Sequence, residues 1–186
     1  GLGNTGSTLW DHSGYHNHGT LTGTLDTHWV TDQNGICLDF PDSSDLVTIP
    51  YSETFASKCY SWSIWIRSSE TGTNRGLVSR WQNSGGTYSW VVTWEAGGGI
   101  YWYHNGLSTV AGSTVVVHDG SWHHLCGTYD KATTKLYLDG VEKHSVANTG
   151  DYNPTTQPLV LGTYATTQDW DGKLRSFAFW NRGLTP

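Results

Sequence analysis

The chain of 186 residues has no methionine, three cysteines, five prolines and few charged side chains. Ten Lys and Arg residues stand against sixteen Asp and Glu, which gives a formal net charge of −6. Nucleic-acid binding needs a basic surface that neutralises phosphates, so this balance argues against a nucleic-acid partner. No apolar run approaches the ~20 residues of a membrane-spanning helix, and no window repeats apolar residues at helical spacing for three turns. We therefore expect neither a membrane span nor long helices.

The residues that are abundant favour strands joined by tight turns. The chain has eleven Trp, ten Tyr and 23 Gly, and aromatic and glycine-rich sequences are typical of β-structure with many turns. The length is typical of one domain and suffices to bury a sizeable core. We find no sequence repeat, linker or block of like charge.

Two consecutive strand-and-turn units give the clearest local signal, Trp122–Asp130 (WHHLCGTYD) and Lys135–Gly140 (KLYLDG). Apolar residues alternate along each unit, as expected for a strand with one buried face. Asp139-Gly140 is a pair typical of a two-residue hairpin turn. These units predict an antiparallel ribbon, and the same pattern predicts strands in most of the chain. The predicted strands are Gly19–Thr24, Gly35–Phe40, Leu46–Ile49, Tyr60–Ser68, Gly76–Gln82, Thr87–Glu95, Gly99–Asn105, Ser113–Val117, His123–Asp130, Lys135–Leu138, Val141–Ala147, Leu159–Thr163 and Lys173–Asn181.

The ribbon is similar to the signature hairpin of laminin-G-like domains in the concanavalin-A-like lectin/glucanase superfamily. Further segments match that family in order: Asp11–Leu21, Cys37–Phe40, Val47–Pro50, Ser61–Arg67, Leu77–Trp81, Pro158–Gly162 and Asp171–Gly183. The resemblance implies an all-β jelly-roll sandwich of two antiparallel sheets, with residues 1–186 as one domain. It implies no single activity, because relatives include glycan-binding modules, adhesion domains and appendages of enzymes.

The segment Thr87–Asn105 carries aromatic residues on both faces of two predicted strands. A sandwich strand has one core face, so we expect some of these rings to be displayed to solvent. Aromatic rings beside Asn, His and Glu suit the apolar face and the hydroxyl edges of a sugar. The candidate glycan-binding residues are Trp81, Trp90, Trp94, Tyr101, Tyr103, His104 and Trp170.

The same rings have a structural interpretation. Aromatic residues on a sheet also pack against cross-strand neighbours or lie under an adjacent domain. Trp65 and Trp122 match framework positions of the family, and we assign both to structure. The alternative function is a structural or adhesion domain of a cell-surface or virion protein, with a protein partner.

A structural calcium ion is implied by the resemblance. In many relatives the Asp that matches Asp171 holds Ca²⁺ beside the N-terminal segment. Calcium binds several oxygen ligands, including carboxylates and loop carbonyls. Here the expected ligands are Asp171, Asp11 and Asp42. The other interpretation of Asp171-Gly172 is an ordinary turn, since Asp before Gly is common there.

Catalytic patterns are missing from the sequence. The retaining glucanases of the superfamily need two carboxylates, as nucleophile and acid/base, and on one strand these occupy alternate positions. The only Glu residues are Glu53, Glu70, Glu95 and Glu142, and none has an acidic residue at that spacing. Gly-x-Ser-x-Gly is also absent. We predict a non-catalytic carbohydrate-binding module, with an enzyme of unrecognised site as the third interpretation.

Compartment and assembly are less constrained by the sequence. The odd number of cysteines predicts mostly buried thiols, with a Cys37–Cys59 bridge as the alternative in an oxidising compartment. The family and the Trp-, Gly- and Thr-rich composition favour an extracellular, cell-surface or virion-surface location. The family's first strand is largely missing, so we expect a piece of a longer protein. The open sheet edge this would leave invites a protein partner or a dimer.

Overall fold

The structure is a computed structural model that describes residues 6–23, 28–41, 44–72, 74–81, 88–96, 99–112, 116–151, 155–164 and 168–185. These residues contain fifteen strands, one 3₁₀ turn at Glu53–Phe55 and no α-helix. The strands are β1 Thr8–Leu9, β2 Gly19–Thr22, β3 Trp29–Asp32, β4 Gly35–Phe40, β5 Leu46–Ile49, β6 Tyr60–Arg67, β7 Arg75–Trp81, β8 Tyr88–Glu95, β9 Gly99–His104, β10 Val110–Gly112, β11 His123–Tyr129, β12 Thr133–Leu138, β13 Val141–Ala147, β14 Leu159–Leu161 and β15 Gly172–Trp180. No helix within the described ranges is long and apolar enough to cross a membrane.

The strands form two antiparallel sheets. In the described residues, eight strands follow the order β1-β2-β5-β14-β7-β8-β9-β10, and seven follow the order β13-β12-β11-β6-β15-β4-β3. The inner faces of both sheets meet in one hydrophobic core, as expected when each sheet has one apolar face. The predicted all-β sandwich is confirmed.

Two tryptophan side chains and one glycine pack together at the centre of the core. Trp62 of β6 and Trp102 of β9 are fully buried, and their rings meet edge to face with centroids 5.3 Å apart. Gly127 of β11 lies directly against both rings. A side chain at position 127 would collide with them, so the glycine sets how closely the two sheets approach.

The predicted hairpin is also confirmed. Leu125 of β11 pairs with Leu138 of β12, and β12 turns into β13 through Asp139 and Gly140 alone. Both turn residues have positive φ, 52° for Asp139 and 78° for Gly140. That conformation is what a two-residue turn needs to match strand twist, and Asp-Gly adopts it readily.

A buried arginine on β7 joins two loops of the chain. Arg80 of β7 is fully buried and donates to the carbonyls of Phe55, Thr155 and Gln157. The Ser89 hydroxyl of β8 lies 2.8 Å from that of Thr155. These bonds hold the chain at Thr155 and Gln157 against β7 and β8.

Three short strands were not predicted, namely β1, β3 and β10. β3 lies at a sheet edge and none of its residues is fully buried, so its sequence carries no apolar alternation. Part of the predicted strand Ser113–Val117 lies outside the described residues, and the strand in this region is β10, at Val110–Gly112.

The three cysteines are free thiols, so the Cys37–Cys59 bridge is not formed. Cys37 lies in β4 and Cys59 directly precedes β6, with β15 between those two strands. Two strand spacings are about 10 Å, beyond the ~7 Å that a disulfide can span. Cys37 is buried, whereas Cys59 and Cys126 are half-buried.

Candidate functional site

Three of the predicted glycan-binding side chains lie in the core. Trp90, Trp94 and His104 are 0%, 2% and 3% exposed. They belong to the inner faces of β8 and β9, where Trp90 pairs with His104 and Trp94 with Ile100. A buried ring offers no free face to a sugar, so these three residues are corrected to structural positions.

Two further candidates are Trp170, which is buried, and Trp81. Trp170 is 2% exposed and packs in the same core. Its backbone amide donates to the carbonyl of Gly162 at 2.6 Å, which fixes the residue against the end of β14. The side chain of Trp81 lies outside the described residues.

The remaining pair, Tyr101 and Tyr103, lies on the outer face of β9. Both side chains are half-buried, and their rings stack with centroids 5.9 Å apart and planes 13° from parallel. Their cross-strand partners on β8 are Thr93 and Val91, which are each only 1% exposed, so the accessible part of this face is formed by the two half-buried rings. The outer face therefore displays two parallel phenol rings.

Glu95 at the end of β8 supplies a carboxylate beside these rings. One of its oxygens accepts hydrogen bonds from the Tyr103 hydroxyl and, at 3.3 Å, from the Thr93 hydroxyl. Burial raises the pKa of Tyr103 well above its usual value, and the hydrogen bond to Glu95 adds to the shift. The phenol is therefore held neutral and oriented as a donor.

A third phenol borders the same face. The backbone of Thr163 and Tyr164 lies against Gly76 of β7, where a Cβ would meet the Tyr164 amide nitrogen at 2.3 Å. Burial raises the pKa of Tyr164, a hydrogen bond with Gln168 opposes this rise, and the nearby Glu95 carboxylate adds to it. Tyr101, Tyr103, Tyr164 and Glu95, together with Thr93, form what we call the tyrosine face. It offers ring faces for stacking, and hydroxyl and carboxylate groups for hydrogen bonds.

Comparison with known families identifies the fold. A laminin-G family model, described as concanavalin A-like lectin/glucanases superfamily, matches residues 41–186. The chain belongs to this superfamily. The family resemblance noted in the sequence is thereby confirmed.

Curated relatives share part of this superfamily domain. Human neuronal pentraxin-1 is 31% identical over 104 residues, which are 47% of this chain and 24% of the relative. Mouse pappalysin-1 is 34% identical over 71 residues, which are 36% of this chain and 4% of the relative. The match thus spans about a quarter or less of these relatives' length.

Solved structures show the same fold at low identity. Domain 4 of AbnA, a GH43 extracellular arabinanase from Geobacillus stearothermophilus in complex with arabinotriose, has a TM-score of 0.71 and 18% identity, over 97% of this chain and 94% of that one. The binding domain of Paraclostridial Mosquitocidal Protein 1 has a TM-score of 0.73 and 16% identity, over 97% and 49% of the two chains. At such identities the likeness establishes the fold alone.

Asp171, the first predicted calcium ligand, lies among other carboxylates. Burial raises the pKa of Asp171, and the neighbouring Glu70 carboxylate raises it further, against the opposing charge of Arg75. Asp39 of β4, which pairs with Lys173 of β15, also raises this pKa. This spot has oxygen ligands of the kind that calcium prefers.

The other predicted ligands do not join Asp171 in the described chain. The Asp11 carboxylate accepts hydrogen bonds from the amides of Ser13 at 2.8 Å and Asn17 at 2.9 Å, which shape its own loop. Asp42 lies outside the described residues. Among the described residues, no three His, Cys, Asp or Glu side chains form a metal-binding group. The calcium site therefore stays a prediction.

Sequence reasoning missed Tyr164 as part of the tyrosine face. Tyr164 is distant in sequence from β8 and β9, and it reaches them because β14 pairs with β7, which pairs with β8. Local patterns cannot show such a neighbour. Trp65 and Trp122, assigned to structure from the sequence, are half-buried on the outer side of the seven-stranded sheet.

Proposed function

We propose that this domain is a non-catalytic carbohydrate-binding module, and that its contact surface is the tyrosine face. The observation that carries the proposal is the parallel, half-buried pair Tyr101 and Tyr103 beside the hydrogen-bonded Glu95 carboxylate. A sugar ring places its C–H face on an aromatic ring and its hydroxyls on polar neighbours. The tyrosine face provides aromatic rings for stacking and, beside them, hydroxyl and carboxylate groups for hydrogen bonds.

The relatives support this proposal through what their names state. The arabinanase domain was solved with arabinotriose, and the binding domain of Botulinum Neurotoxin DC was solved in complex with SialylT. Cell entry of botulinum neurotoxin type C is described as dependent on interaction with two ganglioside molecules. The arabinanase is described as extracellular. We extend glycan binding and an extracellular location to this chain as a proposal.

One observation favours the alternative function, an adhesion domain with a protein partner. Trp10 and Tyr15 are 50% and 66% exposed on the loop that Asp11 shapes. Exposed Trp and Tyr are frequent anchors of protein partners. A protein ligand bound through this loop would survive loss of the tyrosine face, which separates the two functions experimentally. The third interpretation, that the domain is an enzyme, is tested by an activity screen on polysaccharides.

The first prediction concerns Tyr101. Tyr101→Ala removes one stacking ring without opening the core, so the protein should fold normally and bind its glycan more weakly. One aromatic contact contributes about 0.5–1.5 kcal/mol, which corresponds to about 2- to 12-fold in Kd. A glycan array identifies the ligand, and isothermal titration then measures Kd for the wild type and the variant.

Tyr15→Ala is the matched control, because it removes an equally large and more exposed phenol from a different surface. Its Kd should equal that of the wild type. Equal affinity of Tyr101→Ala and wild type, or loss only in Tyr15→Ala, would overturn the proposal for the tyrosine face.

We also propose that Asp171 and Glu70 contribute to a structural calcium site. Two clustered carboxylates, one of them paired with Arg75 at 3.7 Å, suit the weak affinities of extracellular modules, about 10⁻⁴–10⁻³ M. Burial and the neighbouring Glu70 carboxylate raise the pKa of Asp171, and bound calcium would offset both effects. The ion would act on stability and take no part in the glycan contact.

The second prediction follows from this site. With a Kd of about 0.5 mM, about 5 mM Ca²⁺ should stabilise the fold by about 1.4 kcal/mol, a rise in Tm of about 3–5 °C. Asp171→Asn should lose this response while keeping or gaining stability in chelator, because it removes repulsion with Glu70. Asp151→Asn, at a surface pair with Lys58, should keep the response. An identical Tm in calcium and chelator would contradict the site.

A further inference from the structure

We propose that the tyrosine face binds neutral sugars and amino sugars and rejects acidic sugars, and that Glu95 sets this specificity. Acidic sugars are those that carry a carboxylate or a sulfate group, such as uronic acids and sialic acid. This charge selection rests on the proposed carbohydrate-binding function and adds the class of sugar to it.

Basic residues are missing from the segments that build the tyrosine face. The stretch from Trp81 to Asp130, which contains β8 and β9, has no Lys or Arg. The stretch from His144 to Gly172, which contains Tyr164, has none either. Arg and Lys are the residues that bind carboxylate, phosphate and sulfate groups in proteins. An acidic sugar therefore finds no cationic partner on these segments.

The neighbouring strand β7 carries two arginines, and the protein's own oxygens hold both. Arg75 lies at the start of β7 and 3.7 Å from the Glu70 carboxylate. Arg80 is fully buried and donates to the carbonyls of Phe55 and Thr155. Neither guanidinium is available to neutralise an acidic group on the tyrosine face.

Glu95 is a half-buried carboxylate that forms no ion pair within the described ranges. Glu142, by comparison, pairs with Lys135 at 3.0 Å. The hydrogen bonds to Glu95 come from the Thr93 and Tyr103 hydroxyls, and both reach the same oxygen, Oε1. The second oxygen, Oε2, accepts no hydrogen bond from the described part of the chain. Glu95 thus keeps its full negative charge and one acceptor for a ligand.

The phenols beside Glu95 stay neutral and add no compensating charge. Burial is the largest cause that raises the pKa of Tyr103 and of Tyr164, and the Glu95 carboxylate raises both further. The carboxylate thus acts on phenols from two separate parts of the chain. A charged group laid on the same rings feels the same field.

The chemistry of the three classes of sugar follows from this set of groups. A neutral sugar donates a hydroxyl to Glu95 Oε2, and a hydrogen bond to a charged acceptor is stronger than one between neutral groups. An amino sugar adds an ammonium group, which both the carboxylate and the faces of the phenol rings attract. An acidic sugar is repelled by Glu95 and loses hydration without gaining a partner.

Oligosaccharides with the same linkage and different charge test this selection. Cellotriose is paired with the trimer of β-1,4-linked glucuronic acid, α-1,4-galactotriose with trigalacturonic acid, and chitotriose with its fully deacetylated trimer. NMR titrations use up to about 20 mM sugar, to reach the weak Kd expected, and a chelator, so that no calcium ion contributes charge. At about 20 mM salt, where screening is weak, each neutral sugar that binds should do so about fivefold more tightly than its acidic partner. The deacetylated trimer should bind at least as tightly as chitotriose.

Glu95→Gln removes the charge and keeps an oxygen that accepts from the Tyr103 hydroxyl. It should weaken binding of the neutral sugar about two- to threefold, because the hydrogen bond loses its charge, and strengthen binding of the acidic partner about fivefold. A merely structural role would weaken both sugars alike. Glu142→Gln, at the carboxylate paired with Lys135 in the other sheet, is the matched control and should leave both Kd values unchanged.

Salt gives a second readout, in the wild-type protein. Raising the salt concentration from about 20 to about 300 mM screens the repulsion, so the acidic sugar should bind about threefold more tightly and the neutral sugar equally well. Equal Kd values for a neutral sugar and its acidic partner, or tighter binding of the acidic one, would overturn charge selection and keep the proposed function. No binding of any of these six sugars would overturn both.

Discussion

We expect Gly127→Ala to lower the free energy of unfolding by about 3 kcal/mol, the upper part of the range for overpacked cores. A Cβ at this position would lie 2.5 Å from Trp62 and 2.6 Å from Trp102. Both indoles are fully buried and pack against each other, so neither can move without displacing the other. Elsewhere in a strand, Gly→Ala stabilises by restricting the unfolded chain. A loss of stability would therefore indicate a collision in the core, whereas a gain would indicate an effect on the unfolded chain.

Denaturant unfolding measures this effect, and for a domain of this size 3 kcal/mol is about 6–12 °C in Tm. Gly150→Ala is the control, because its Cβ would meet only the end of the flexible Leu107 side chain, at 3.0 Å. It should change stability little. Trp102→Phe should partly rescue Gly127→Ala in a double-mutant cycle. An unchanged or more stable Gly127→Ala would show that Trp62 and Trp102 leave room for a Cβ at position 127, which contradicts the close contact.

Acid should destabilise the domain through His104. Burial lowers the pKa of His104 to about 3, and its ring packs 4.4 Å from that of Trp102. Its Nε2 has no hydrogen-bond partner in the described chain. In the unfolded chain His has a pKa near 6.5, so between these values only the unfolded state binds the proton. Stability therefore falls as pH falls through this window.

The expected loss between pH 7 and pH 5 is about 2 kcal/mol. His104→Phe keeps an aromatic side chain and removes the titration, so its stability should be about 2 kcal/mol less sensitive to pH over this interval. His12→Phe, on the exposed loop, should retain the full pH dependence. Parallel pH dependence of wild type and His104→Phe would show that His104 is protonated in the folded state.

The fold was readable from the sequence because its local signals agree with its packing. Alternation in β11 and β12 and the turn at Asp139-Gly140 predict a ribbon whose register the structure reproduces. The strands that escaped prediction, such as β3, are edge strands with little burial. Without a buried face, a strand leaves no periodic pattern.

The candidate site was only partly predictable. Alternation places Trp90 and Trp94 on one face and Thr93 and Glu95 on the other, but does not state which face is inner. The structure turns the indoles inward and the phenols of Tyr101 and Tyr103 outward. The more apolar face of β8 could have indicated which side is inner, because burying Trp and Val side chains stabilises a fold more than burying Ser and Thr.

Long-range neighbours set the rest of the surface. β14 pairs with β7, which pairs with β8, and the chain after β14 carries Tyr164 to the tyrosine face. This arrangement has no local signature, because it arises from the order of strands within the sheet.

The central claim is that a glycan contacts the rings of Tyr101 and Tyr103. NMR of protein with ¹³C-labelled tyrosine rings, titrated with the glycan that binds best on the array, tests it most directly. We expect the Tyr101 and Tyr103 ring signals to shift together and saturate with the same Kd as the calorimetric titration, while the Tyr15 signal stays fixed. Saturable binding with unmoved Tyr101 and Tyr103 signals would contradict the account.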